Sequence, residues 1–218
     1  MTIYLDLDGT ILEVANRFHI VYCSIVREFG ETPLDRETYW NFKRARGREV
    51  ELCKFLHNRI DPAHYIEQFV AKIESPIHLP QDRLVHGAME VLSSLAERHR
   101  LVLVTLRRKG APLAWQLREL GLTPLLDDIL QREDNDGSWM NKSEMIRAHG
   151  NGGRRGACML VGDTEADIQA ARLLGIHDVV VANGLRSREV LESFSPSRTI
   201  ETIRNIHECL PAAAAGMA

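Results

Sequence analysis

The chain has little that would serve a metal cage, a disulfide framework, a nucleic acid or a membrane. Its four cysteines, Cys23, Cys53, Cys158 and Cys209, are scattered along 218 residues and form no CxxC pair. That argues against a zinc knuckle and a disulfide scaffold, and it fits reduced, buried thiols in a reducing cytoplasm. A basic surplus is missing as well. The 27 Lys and Arg are outnumbered by 30 Asp and Glu, and the formal net charge is −3. Neither a nucleic acid nor an acidic membrane surface is an expected partner of such a chain. No apolar run approaches the length of a membrane span, and Met1 leads into a strand-like segment without the zones of a secretory leader. A cytoplasmic protein is therefore expected. What is present is an ordinary globular composition, 44% apolar and 26% charged. The length suits one large domain, or a domain carrying a smaller insertion.

Asp6 and Asp8 stand two residues apart in the run Asp6, Leu7, Asp8, Gly9, Thr10, directly behind the apolar stretch Ile3, Tyr4, Leu5. Alternate side chains of a strand share a face, so the spacing predicts two carboxylates pointing the same way at a strand's carboxyl end. Gly9 lets the chain turn away. In an open parallel sheet this edge is where ligands bind. Two like charges there call for a divalent cation, or for a proton shared with a reacting group. Taken alone, the pair also fits a solvated Asp-Gly turn after an edge strand.

Between residues 13 and 75 no strand is evident. Ile20, Val21, Ser24, Ile25 and Glu28 follow the spacing of an amphipathic helix that stops at Gly30, and further helices are expected from Asp35, Glu49 and Pro62. Pro76 and Pro80 punctuate the chain, and Gly87 opens a helix through Met89, Leu92 and Leu95. Then the pattern changes. Strands are expected at 101–104, 128–130, 158–161 and 179–181, with a short one near Thr199. Helices are expected between them, ending at Gly121 and spanning 142–149 and 165–174, with a polar loop around 134–137. Such alternation predicts a parallel α/β sheet wrapped by helices through right-handed crossovers. The helical stretch is then an insertion. The expected organisation is a core of residues 1–13 and 80–210, an all-helical cap of residues 14–79 and a frayed Ala-rich tail of residues 211–218.

A second acidic turn follows the apolar strand near Val161, in Gly162, Asp163, Thr164, Glu165, Ala166, Asp167. Asp163 falls at the strand's carboxyl edge, and Asp167 lies one helical turn later, so both can face one crevice. Thr164 suits a helix cap, and a cap is also open to Asp163 taken alone. If two strands of one sheet bring Asp163 beside Asp6, the converging oxygens suit a hard ion such as magnesium. Thr105 closes the strand at 101–104, where its hydroxyl either faces the same crevice or caps the next helix. Lys142 opens a helix, a place where the helix dipole disfavours a cation. It is either directed at the carboxylates and a phosphate or a solvated surface lysine. Asn141 and Glu144, at capping-box spacing, account for the helix start without it.

In this order the pieces resemble the haloacid dehalogenase superfamily of phosphohydrolases over nearly the whole chain. Asp6 to Thr10 matches its DxDGT motif, Thr105 its Ser/Thr motif, Lys142 its lysine, and Gly162, Asp163 and Asp167 its GDxxxD motif. The resemblance implies a Rossmann-like core and Mg2+-dependent phosphoryl transfer. Asp6 is then the nucleophile, and Asp8 the general acid and base. Asp6, the backbone carbonyl of Asp8, and Asp163 hold the metal, with Asp167 as ligand or support. Thr105 and Lys142 hold the phosphoryl oxygens, and Gly9, Thr10, Leu106 and Arg107 contact substrate. The placement of the insertion is similar to that in phosphoglycolate phosphatases and beta-phosphoglucomutase. Those relatives carry a substrate-reading loop in the cap, which the run Lys43, Arg44, Ala45, Arg46, Gly47, Arg48 resembles. On that basis Arg46 and Arg48 are expected to reach the substrate when the cap closes, although a solvated basic face fits the run too.

The chain also departs from the family pattern. Leu106, Arg107 and Arg108 follow Thr105 where relatives often carry Asn, and these arginines either add an anionic contact or face solvent. Because Asp8 is present, phosphate esters are favoured over haloacids. The leading expectation is a phosphatase of a small phosphorylated metabolite. A phosphomutase is the rival enzyme, and a non-catalytic binding protein on the same fold is the rival class. Monomer and homodimer stay open.

Overall fold

The computed structural model describes residues 1–55, 59–134, 137–150 and 157–210. Six strands form one parallel sheet: β1 (Thr2–Leu5), β4 (Arg100–Val104), β5 (Asp128–Leu130), β6 (Cys158–Gly162), β7 (His177–Val181) and β8 (Arg198–Ile200). Their order across the sheet is β5-β4-β1-β6-β7-β8. After β1 the chain first builds outward on one side, through β4 and β5, and then on the other, through β6 to β8. The reversal falls at β1, with Leu5 paired to Leu103 on one flank and Val161 on the other. A crevice opens beyond the strand ends at such a switch point.

The apolar runs of these strands are continuous because both sheet faces are covered. Ile3, Leu5, Leu101, Leu103 and Val161 pack on one side against α5 (Ala88–Ala96), α6 (Gly110–Glu119) and the turn Ile203–Cys209. Tyr4, Val102, Val104 and Leu160 point the other way, toward α7 (Trp139–Gly150) and α8 (Glu165–Leu174). The short α9 (Arg188–Glu192) adds Leu191 against Val180 and Ile168. Period-two alternation thus sorts each strand between two helical layers.

Four helices lie between β1 and this core: α1 (Ala15–Glu28), α2 (Arg36–Arg44), α3 (Glu49–Phe55) and α4 (Pro62–Ile73). They enclose an apolar cluster of their own, in which Tyr22 stacks on Tyr39 at 4.3 Å between ring centroids, beside Val21, Ile25, Leu52 and Tyr65. Asp35 and Asp61 cap α2 and α4 by accepting from Thr38 N and His64 N. The two chain crossings into and out of this unit are joined by a ribbon, β2 (Leu12–Glu13) paired antiparallel with β3 (Arg83–Leu84). Two-residue strands carry too little alternation to be read from sequence.

Two expectations shift. The helix expected from Lys142 begins at Trp139, so Asn141 lies inside α7 and does not cap it; its amide donates to Ser138 Oγ. β1 ends at Leu5, so strand alternation stops short of Asp6 and Asp8. Asp6 N still donates to Val161 O at 2.8 Å, which carries the carboxylate to the sheet's edge. The expected tail, residues 211–218, and part of the 134–137 loop lie outside the described residues.

Candidate active site

The edge of the sheet at β1, β4 and β6 carries a cleft of about 220 Å³. Asp6, Asp8, Thr105, Leu106, Arg107, Lys142, Asp163 and Thr164 line it on the core side. Each follows, or packs behind, the carboxyl end of one of the three central strands. Phe18, Phe69, Ile73 and Glu74 close it from the helical unit.

Lys142 is 2% exposed, which removes the reading as a solvated lysine. Its Nζ donates to Asp6 Oδ1 and to Asp167 Oδ1, both at 2.6 Å. Burial disfavours the ammonium, but Asp167 and Asp6 outweigh that and raise its pKa. Burial pushes the Asp6 carboxyl up to about 7, against the pull of Lys142. Asp163 is fully buried and is pushed well above the usual range, first by burial and then by Asp6 and Asp167. Three buried carboxylates thus share one ammonium. Asp163 Oδ2 accepts from Leu185 N at 2.6 Å, whereas its Oδ1 has no hydrogen-bond partner among the described residues.

That imbalance fits a divalent cation. An orphaned carboxylate oxygen beside a second, electron-rich carboxylate is the donor set of a hard ion that keeps several waters. Among the described residues no three metal-ligating side chains converge on one point. The side chains that could hold such a cation are Asp6 and Asp163. Of the two roles expected for Asp167, ligand or support, its contacts fit support: its Oδ2 accepts from Asp163 N, Thr164 N and Thr164 Oγ1 while Oδ1 accepts from Lys142. It ties the start of α8 to the lysine. Thr164 sits at the N-cap of α8, as its residue type suggests.

Asp8 has a different setting. Arg107 grips it through Nε at 2.9 Å and NH2 at 2.5 Å, and Arg17 NH2 adds a contact at 2.7 Å. Burial would raise this carboxyl, but Arg107 and Arg17 outweigh it and hold it well below the usual range. Arg107 is 4% exposed and also reaches Gln116 and Asp82. Of the two sequence readings of Arg107, an anionic contact or a solvent-facing side chain, the second does not hold. It does not face solvent, and its guanidinium is turned to Asp8 because the neighbouring Asp82 and Gln116 fix its fork from behind. Arg108 has its backbone amide on Glu74, a residue of the helical unit.

Thr105 lies at the cleft with its Oγ1 accepting from Arg107 N at 3.2 Å. Thr10 is buried, its hydroxyl without a partner among the described residues, and does not line the cleft. Gly9 faces a neighbouring cavity. A Cβ there would stand 1.9 Å from Asp163 Oδ2, so only glycine allows this carboxylate against the first turn.

Arg46 and Arg48 are not in the cleft. Arg46 is 54% exposed, donates to Glu165 Oε1 at 3.0 Å and lies over the Phe194 ring at 5.0 Å. Arg48 pairs with Glu51 and is 76% exposed. The sharp turn that carries them follows from packing: Arg46 takes φ +68°, and a Cβ on Gly47 would strike the Phe42 ring at 2.4 Å. Arg46 shares Glu165 with Arg186, so the loop is docked on the core.

Sequence reasoning missed Arg17, Asp82, Gln116 and Glu74. For Arg17 a signal existed. A charged residue four positions before Val21, on the apolar face of α1, is out of place unless a buried carboxylate waits for it.

The sequence profile of the haloacid dehalogenase-like hydrolases matches residues 3–181. The chain belongs to this family. This haloacid dehalogenase-like hydrolase is 24% identical over 193 residues to a phosphoglycolate phosphatase from Rhodobacter capsulatus, covering 83% of this chain and 84% of that one. Among solved structures it shares its fold with a haloacid dehalogenase-like family protein from Streptococcus pneumoniae, at TM-score 0.78 and 17% identity over 95% of this chain and 97% of that one. A subfamily IA hydrolase from Geobacter sulfurreducens superposes at TM-score 0.66 and 18% identity, with 96% of each chain covered. The hydrolases of this family generally use a divalent metal. No described helix is long and apolar enough to cross a membrane.

Proposed function

We propose that the enzyme hydrolyses the phosphate ester of a small metabolite through a phosphorylated Asp6. The observation that carries this reading is the Asp6 carboxylate at the end of β1, exposed to the cleft on one side and held by the Lys142 ammonium on the other. Asp6 attacks phosphorus as the bond to the leaving oxygen breaks, giving an aspartyl-phosphate and an alkoxide that takes a proton from Asp8. Asp8 then removes a proton from water, which displaces the phosphoryl group from Asp6 and regenerates the carboxylate. The Arg107 and Arg17 guanidiniums favour the charged form of Asp8, the form needed for this second step, and disfavour the protonated form that the first step draws on. Thr105 and Lys142, which line the same cleft, would hold the charge that develops on the phosphoryl oxygens. Asp6, Asp163 and the backbone carbonyl of Asp8 would hold Mg2+, which offsets the repulsion between an anionic nucleophile and an anionic phosphate.

The helices α1 to α4 act as the cap. Lys109 Nζ donates to Ala71 O, and the amides of Arg108 and Lys109 donate to Glu74, so the cap is clipped onto the loop after Thr105. A screen of phosphorylated metabolites, read as inorganic phosphate in the presence of Mg2+, tests the reading. Release is expected from the wild type and not from Asp6→Asn. Turnover that survives this substitution would sink the mechanism, and interconversion of sugar-phosphate isomers without release would make the enzyme a mutase.

A further inference from the structure

The helical unit lends the cleft an apolar surface beside the charged Arg17 and Glu74. Phe18 and Phe69 meet edge to face at 5.7 Å between centroids, and Ile73 sits one turn beyond Phe69 on α4. Leu106 and Leu185 extend this surface from the core, and all five side chains are half-buried. Such a surface is unfavourable to leave against water and unfavourable to place against a charge.

The cations of the cleft are already matched. Arg17 and Arg107 hold Asp8 and Asp82, and Lys142 holds Asp6 and Asp167. The carboxylates Asp6, Asp8, Asp163 and Glu74 line the same space, four against three cationic side chains. A divalent ion and a phosphoryl dianion entering together leave that negative excess unchanged. The cap's basic loop does not alter it, since Arg46 and Arg48 pair with Glu165 and Glu51 outside the cleft. A further anionic group on the leaving alcohol would face apolar rings and the Glu74 carboxylate.

We propose that the preferred substrate is the monophosphate of a compact, uncharged alcohol whose carbon skeleton packs against Phe18, Phe69 and Ile73. The inference rests on the phosphatase reading and narrows it. It also separates this enzyme from a phosphatase of carboxylated esters, for which an unmatched cation on the cap wall would be required, whereas Arg17, the cap's cation in the cleft, is taken by Asp8 and Asp82.

Two esters of equal skeleton length decide the matter: 2-hydroxyethyl phosphate, which is neutral at its far end, and 2-phosphoglycolate, which carries a carboxylate there. The wild-type enzyme with Mg2+ is expected to release phosphate from the neutral ester with kcat/KM at least about tenfold higher, since like charges juxtaposed in a closed site are strongly disfavoured. Placing a cation in the wall by Ile73→Lys is expected to move the ratio toward 2-phosphoglycolate. Phe69→Lys takes its place if Ile73→Lys melts early. A smaller wild-type ratio, a ratio favouring 2-phosphoglycolate, or an unmoved ratio in a folded variant overturns the inference and leaves the phosphatase reading intact. No Asp6-dependent phosphate release from either ester, or from p-nitrophenyl phosphate, overturns both.

Discussion

Lys142 Nζ touches two buried carboxylates, Asp6 and Asp167, and its loss would leave both without their cation. Breaking a buried pair from one side costs about 3–5 kcal/mol. Lys142→Met is therefore expected to lower the unfolding free energy by that order in denaturant titrations and to abolish phosphate release. Arg107 is a second such residue. A lysine at this position keeps the charge but loses the two-pronged grip on Asp8, since an ammonium is a point donor and a guanidinium a fork. Arg107→Lys is expected to reduce kcat more than it raises KM, by about tenfold or more, measured by steady-state phosphate release. His78 and His99 show how pH reaches the fold. Burial lowers both below the ordinary imidazole value of 6.5. The folded state thus favours their neutral forms, and the unfolded chain binds more protons as the pH falls below 6.5. Stability from these groups is complete above pH 6.5 and declines from there through their lowered folded values. These two imidazoles should pull the melting temperature down over this window, against the raised Asp6 carboxyl, which takes up its proton in the folded state there and works the other way, and the double change His78→Asn with His99→Asn should remove the downward pull.

At the scale of elements, α6 begins without a side-chain cap of its own, and the carboxylate of Glu74, from the end of the cap, takes the amides of Arg108 and Lys109 just ahead of it. One group therefore satisfies a helix start and fastens the cap. Glu74→Ala is expected to cost about 0.5–2 kcal/mol, as loss of an N-cap does, read from thermal melts. Most elements were legible in the sequence because each carries a period. The runs at 101–104 and 158–161 read as buried strands, and the helix at 165–174 has a Thr before it and Gly175 after it. The ribbon of β2 and β3 was not legible, since four residues paired across the cap hold no repeating pattern. The start of α7 was misplaced because Asn141 and Glu144 mimic a capping box, while the helix actually starts at Trp139.

For the whole molecule, the deficit of positive charge around Asp6, Asp163 and Asp167 couples metal binding to stability. A ligand that binds only the folded state at 100 times its Kd stabilises by about 2.7 kcal/mol. Mg2+ is accordingly expected to raise the melting temperature of the wild type in a concentration-dependent way. Asp163→Asn should remove this shift. It should also raise the metal-free melting temperature, because the fully buried Asp163 resists ionisation and has an oxygen with no partner among the described residues. A metal-free variant less stable than the wild type would contradict this account of the site.

The meeting of Asp6, Asp8, Thr105 and Asp163 was readable from sequence because each follows a strand with a clear apolar run, and a parallel sheet brings such ends to one edge, whereas Lys142 joins them from the first turns of α7. The order of these elements fixed the sheet, the place of the inserted helices and the chemistry expected at the edge. Only the tertiary structure decided the partners of the charges. Arg46 and Arg48 look like substrate contacts in the linear chain, yet Glu165 and Glu51 hold them outside the cleft. Arg17 and Arg107 lie 90 positions apart in the chain and meet on one carboxylate. Local periodicity reports which face a residue occupies. Charge pairing depends on distances across the fold, which no local pattern encodes.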